Sequence, residues 1–264
     1  MRSKYTGRGY FPQAVDVAAF GAHHLGMAAA RMMFEKNRPL VVGSFGSRQD
    51  LLDSSAETLK TACDIVEIRL DLLEVDAAHG EPSPWKHLLE IPMLFTARRS
   101  EEGGALEMGP AKRMELLRGV LDHATWVDIE VASIAEMSEL IAELQMKEIP
   151  WIASYHDFEK LPTDAELRQA VVKARDAGAA VFKAAARLAS PADVARLANL
   201  QLSDHGISVS TMGMGPLAPV SRLLCAQCGS VLNYGFIGQT ATAPGQWSSA
   251  LLKQAIAQLA PLEI

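Results

Sequence analysis

A chain of 264 residues is long enough to bury a full core, and its length suits either one (β/α)8 barrel or two smaller domains. With 49% hydrophobic and 21% charged residues it has the composition of an ordinary globular protein, which excludes a disordered or fibrous chain. A net charge of −6 excludes a general nucleic-acid or membrane-surface binder, because both need a basic face, so an anionic ligand must be met by locally placed arginines.

Residues 1–38 open on basic side chains and contain the run AVDVAAFGAHHLGMAAARMMF. Asp16, His23 and His24 interrupt its apolar stretch, so an amphipathic helix packed on the domain of a cytoplasmic protein is expected in place of a secretory signal. No apolar run reaches the length of a transmembrane helix. Cys63, Cys225 and Cys228 form no even disulfide framework and point to a reducing compartment. Cys225 and Cys228 are spaced C-x-x-C with no second Cys/His pair at a suitable distance; they read as small apolar residues of a helix, and no metal is expected.

From residue 39 onward, apolar runs of strand length alternate with helical patterns. Eight strands are predicted, at 39–46, 64–73, 93–99, 125–131, 151–156, 179–186, 206–212 and 231–237. Most are continuously apolar, as strands covered on both faces are. Ser133 with Glu136 and Thr163 with Glu166 fit capping boxes, and Ser190 before Pro191 marks another helix start. Ile134, Met137, Leu140, Ile141 and Leu144 recur at three and four, one buried helix face. Eight strand-then-helix units imply a closed parallel barrel or an open doubly wound sheet. The stretch from Gly43 to Gly46 is too sparse in glycine for the dinucleotide fingerprint of the open sheet. The expected architecture is therefore α/β, a single-domain (β/α)8 TIM barrel over 39–264 preceded by a helical extension over 1–38.

In such a barrel the chemistry sits at the C-terminal ends of the strands. Strand two carries Glu67, Arg69 and Asp71 at alternate positions, hence on one side, where they must pair with each other or hold a ligand. Strand three leads through Arg98 and Arg99 to Glu102, and strand five ends in Ser154, His156 and Phe158. The sixth strand, AAVFKAAAR, holds a single lysine, Lys183. A lysine there either snorkels to water or pairs with a carboxylate as plain structure, or is held partly desolvated so that its free amine attacks a carbonyl. Strand seven leads past Met214 to Arg222, and strand eight is followed by Thr242 and Gln246. Charged or hydrogen-bonding groups thus stand at one end of six strands. A lysine nucleophile, a histidine and three arginines together describe a site for a small carbonyl acid.

These residues lie in the stretches EIRLD, FTARRSEEGG, ASYHDF, VFKAA, MGMGPLAPVSR and TAPGQ, and in that order they resemble type I 3-dehydroquinate dehydratases, the Schiff-base enzymes of the shikimate pathway. The resemblance implies that Lys183 forms an imine with the C3 ketone of 3-dehydroquinate, that His156 serves as general base and then acid, and that Glu102 fixes the histidine. It implies that Arg222 grips the substrate carboxylate and that Glu67, Arg69 and Arg98 hold the ring hydroxyls. Met214 and Phe158 would form an apolar wall, and Thr242 and Gln246 a lid loop. It further implies a homodimer with no metal and no organic cofactor. Thr242 stands where many members have serine, and the family's N-terminal hairpin is not visible in 1–38. A catalytically silent metabolite-binding relative and a class I aldolase are the alternatives; the first would lack Lys183 or His156, and the second would want a phosphate site after strands seven and eight.

Overall fold

The computed structural model describes residues 39–75 and 83–259; the helix expected within 1–38, with Asp16, His23 and His24, lies outside them. The described chain is a (β/α)8 TIM barrel. Its strands are β1 (Leu40–Phe45), β2 (Ile65–Arg69), β3 (Met93–Thr96), β4 (Trp126–Glu130), β5 (Trp151–Asp157), β6 (Val181–Arg187), β7 (Ser208–Met214) and β8 (Leu232–Ile237). They pair in parallel in the order β7-β6-β5-β4-β3-β2-β1-β8. The ring is nearly closed. At the β7–β8 seam the Val231 N–H donates to the Val209 carbonyl at 3.2 Å, and the Ser210 hydroxyl donates to the Leu232 carbonyl.

Helices α1 (Arg48–Asp53), α2 (Ala56–Ala62), α3 (Leu70–Val75), α4 (Pro110–Arg118), α5 (Ser138–Met146), α6 (Asp164–Asp176), α7 (Pro191–Leu202), α8 (Ala218–Gln227) and α9 (Ser249–Ile256) coat the outside. One apolar cluster, including Val66, Phe95, Val127, Leu140, Leu144, Phe182 and Leu197, fills the layer between strands and helices. A second, with Leu40, Val42, Ile65, Leu94, Trp126, Ile152, Val181 and Leu232, forms the floor inside the ring. Two-sided burial is why the strands read as unbroken apolar runs. Each fully buried aliphatic side chain contributes about 1.5–3 kcal/mol to holding the ring shut.

The Thr163–Glu166 capping box is present in full, and Ser190 forms one with Asp193. Cys225 lies buried in α8 with its thiol pushed up to about 12, chiefly by burial, as expected of an inert core residue. Two local expectations are corrected. The second strand stops at Arg69, and Asp71 sits in the first turn of α3, so the three alternating charges do not share a strand face. Ser133 caps nothing: it is buried, its hydroxyl accepts from Arg113 Nη1 at 3.0 Å, and α5 starts at Ser138. In both places an arginine, Arg69 or the buried Arg113, recruits a side chain that local spacing assigned elsewhere.

The barrel wall leaves no slack beneath the segment after β8. A Cβ built on Gly235 would lie 2.4 Å from the Ser249 Cα and 2.6 Å from its nitrogen, so the start of α9 rests directly on the strand. Gly235→Ala is expected to lower stability by about 1–3 kcal/mol as backbone moves to make room, read as a lower urea midpoint at unchanged slope. An unchanged midpoint would contradict this packing.

Candidate active site

All eight strands send side chains into one mouth. Ser44 comes from β1, Glu67 and Arg69 from β2, Arg98 from just beyond β3, Asp128 and Glu130 from β4, Ser154 and His156 from β5, Lys183 from β6, Met214 from β7 and Tyr234 from β8. Most of them line one pocket that opens to solvent.

Lys183 is 4% exposed and stands in register between Ser154 of β5 and Ser210 of β7. Its Nζ lies 3.4 Å from Asp128 Oδ2. Burial lowers its pKa below the ordinary lysine value and Arg98 adds to the fall, against the opposing pull of Asp128 and Glu67. Asp128 is itself shared, because Arg98 Nη1 approaches its Oδ1 at 2.8 Å and the Ser154 hydroxyl donates to it at 2.5 Å. Despite full burial, Arg98 first and Lys183 second hold Asp128 down to about 2. Arg98 also reaches Glu130 at 2.9 Å, and Glu130 bonds Arg113, whose Nε donates to the Ala97 carbonyl at 2.7 Å. A chain of alternating charges therefore runs from the lysine to the outer layer.

His156 is two residues beyond Ser154 on β5, so it stands on the same face, one step nearer the mouth than Lys183. Glu102 Oε2 accepts from its main-chain N–H at 2.9 Å and from Nδ1 at 3.0 Å. With Nδ1–H engaged, Nε2 keeps its lone pair for the pocket. Burial and then the cations Arg98, Lys183 and Arg69 push the His156 pKa well below its usual value, so the ring is neutral. Burial raises Glu102 to about 7 against the pull of Arg98.

The three predicted arginines differ. Arg69 makes a two-pronged bond to Asp71, at 2.8 and 2.6 Å, and donates to the Gly103 carbonyl at 3.0 Å. Arg98 is consumed by Asp128 and Glu130. Arg222 sits in the second turn of α8, from which a long side chain points back over the barrel mouth. It is 2% exposed, donates to the Tyr234 carbonyl, leaves Nε without a protein partner, and has no carboxylate in ion-pair range among the described residues. Burial pulls its pKa down to about 10. An uncompensated buried guanidinium beside a pocket is a seat for an anion.

The segment between β8 and α9 folds over this mouth. The Thr242 N–H and hydroxyl both donate to Gln246 Oε1, at 3.0 and 2.9 Å, so the threonine supplies the hydroxyl contact and its methyl is accommodated. The Gly215 N–H donates to the Pro244 carbonyl at 2.9 Å. Gly245 has φ +73° and lies where a Cβ would sit 2.1 Å from the Gly215 carbonyl oxygen, so only glycine allows this close seating.

A family model described as Type I 3-dehydroquinase matches residues 43–263. The chain belongs to that family. A 3-dehydroquinate dehydratase of Methanococcus maripaludis is 33% identical over 210 residues, covering 78% of this chain and 92% of the relative. The catabolic 3-dehydroquinate dehydratase of Acinetobacter baylyi is 32% identical over 213 residues, covering 75% of this chain and 76% of the relative. The crystal structure of a 3-dehydroquinate dehydratase from Geobacillus kaustophilus shares the fold, with a TM-score of 0.74 at 24% identity over 83% of this chain and 90% of that one.

Every site residue expected of a type I 3-dehydroquinase borders the pocket: Lys183, His156, Glu102, Glu67, Arg69, Arg98, Arg222, Met214, Phe158, Thr242 and Gln246. Sequence reasoning missed Ser44, Asp128, Glu130, Arg113 and Tyr234, and it placed Ser154 at a strand end without a partner. Two carboxylates at alternate positions of the apolar run WVDIE were the available signal for Asp128 and Glu130. Because burial and three cations oppose its protonation, His156 is expected to remain neutral through pH 6.5, where an exposed histidine is half charged. Imidazole nitrogen shifts in a pH titration check this, and a midpoint at or above the ordinary value would overturn the electrostatic reading.

Proposed function

We propose that this type I 3-dehydroquinase converts 3-dehydroquinate to 3-dehydroshikimate through an imine on Lys183, with His156 carrying the proton. The observation that carries the proposal is the Lys183 amine, buried and discouraged from charging, on the strand next to an imidazole whose Nε2 is free. A lowered pKa raises the share of free amine, the form that attacks a carbonyl.

The steps follow from the placement. The substrate carboxylate pairs with Arg222 and anchors the ring in the mouth. Glu67, held by Ser44 and by Thr96 Oγ1 at 2.9 Å, presents its carboxylate to the ring hydroxyls beside Arg69 and Arg98. The Nζ lone pair of Lys183 bonds to C3, and the carbonyl oxygen leaves as water, giving an iminium. The cationic nitrogen acidifies C2, whose proton passes to His156 Nε2 while the C–H electron pair forms the C2–C3 double bond and the C=N π pair returns to nitrogen, giving a neutral enamine. Charged His156 is steadied by Glu102, which is ionised above about pH 7. His156 then gives the proton to the C1 hydroxyl, which departs as water while the enamine pair forms the C1–C2 double bond and restores the iminium. Hydrolysis releases the product and frees Lys183. The Thr242–Gln246 segment closes over these charged species and keeps bulk water from them. The presence of both Lys183 and His156 in one pocket argues against a silent binding relative.

Borohydride added with 3-dehydroquinate is expected to fix the ligand mass on the peptide holding Lys183. Undiminished turnover with that peptide unmodified would refute the imine. His156→Ala is expected to lower kcat by about 10²–10⁴-fold, the contribution of a general acid–base group, while the borohydride adduct still forms. Near-normal kcat in that variant would move the proton transfer to another residue.

A further inference from the structure

Among the described residues the floor of the barrel is aliphatic, methionine or indole except at one position. Tyr234 of β8, in register with Val42 of β1, belongs to the floor cluster and also borders the pocket. It is 4% exposed, and Lys183 Nζ lies over its ring, 4.0 Å from the centroid. That is well inside the distance at which the negative face of an aromatic ring attracts a cation. Its hydroxyl has no hydrogen-bond partner among the described residues, so no such bond of its oxygen accounts for the side chain's place.

The chemistry at Nζ explains why a ring face is useful there. An ammonium has three N–H donors and an imine formed from it has one. As Lys183 becomes an iminium its hydrogen-bonding capacity falls by two donors while the positive charge remains. Asp128 cannot follow the charge freely, since Arg98 holds it at 2.8 Å, closer than the lysine at 3.4 Å. A ring face attracts charge without needing an N–H direction, so it serves ammonium and iminium alike.

We propose that the ring face of Tyr234 is a catalytic surface that stabilises the positive charge of the Lys183 iminium, a role that rests on the imine reading above. The charge appears on nitrogen twice, when water leaves the C3 adduct and again when the C1 hydroxyl leaves, and it is cancelled between them as the C2–H pair forms the C2–C3 double bond and the C=N π pair returns to nitrogen. Both cationic stages lie over the ring. The other charged or titratable groups facing this nitrogen are Asp128 on β4, Glu67 on β2, Arg98 beyond β3, His156 on β5 and Arg222 on α8, and none of them is changed by substitution at 234.

The test compares Tyr234→Phe with Tyr234→Leu, under saturating 3-dehydroquinate and across pH. The phenylalanine variant keeps the ring face and is expected to keep kcat within about 3-fold, while the leucine variant is expected to lose about 5- to 30-fold, the range for a desolvated cation–π contact. Loss of the ring destabilises the ammonium more than the free amine, so the acid limb of kcat/KM is expected to move to lower pH in the leucine variant only. A merely structural role would lower kcat without moving that limb. If the leucine variant fails to fold, fluorinated phenylalanines at 234 weaken the ring's negative face at nearly constant shape, and kcat is expected to fall stepwise with fluorination. Equal loss in both substitutions, or a flat response to fluorination, overturns the proposal. Borohydride trapping on wild-type Lys183 separates the two readings: a trapped wild type with a ring-independent rate removes the role of Tyr234 alone, and an untrapped wild type removes the imine itself.

Discussion

The 3.4 Å approach of Lys183 Nζ to Asp128 is the contact on which the site depends, because it is deliberately incomplete. Two unit charges about 4 Å apart attract by roughly 4 kcal/mol at the effective dielectric of a protein, enough to keep a lysine charged if the carboxylate were its own. It is not. Arg98 lies at 2.8 Å from the same carboxylate, and the closer cation takes the larger share of its field. Desolvation then outweighs what remains, and the amine is driven toward its neutral, nucleophilic form.

Arg98 keeps this arrangement from collapsing, since it is tied at the same time to Glu130, which Arg113 holds from the helical side. Removing any one member would strand a buried charge, which is far more damaging than never having placed it. The chain also explains why only one arginine is left for a ligand. Arg69 and Arg98 are consumed by Asp71, Asp128 and Glu130, whereas Arg222 has no such partner among the described residues. The barrel is thus layered: an aliphatic floor, a ring of paired charges with a reluctant lysine, and a mouth with one unspent cation.

The segment over the mouth is positioned by packing at both its ends. Gly235 allows α9 to rest on β8, and Gly245 allows the turn to seat on the Gly215 carbonyl. Thr242 and Gln246 close on each other in between, so the cover is a shaped turn held by its own hydrogen bonds and by the β7–α8 connection. This cover keeps a low dielectric around the lysine, which favours the depressed pKa.

Much of this was legible in the chain itself. Eight apolar runs at steady spacing dictated the barrel, since a strand buried on both faces has no choice but to be apolar along its whole length. The lone Lys183 in its strand and His156 near the end of the fifth marked the site for the same reason, that a polar group in such a place is costly unless it is used, and Arg222 and Gln246 stood out in the segments that follow strands seven and eight. Strand ends were less legible, as Asp71 shows, because Arg69 and the main-chain N–H groups of Arg98 and Ala105 decide where its carboxylate goes. What the tertiary structure alone decided was the partnership of charges and the ring beneath the lysine. Asp128 is 55 residues from Lys183 in sequence and Tyr234 comes from the last strand of the barrel, and no local periodicity reports such neighbours. The amino-acid order determined which groups are present and which way each strand turns them; closure of the ring determined which charges share a carboxylate, because those charges come from strands far apart in sequence.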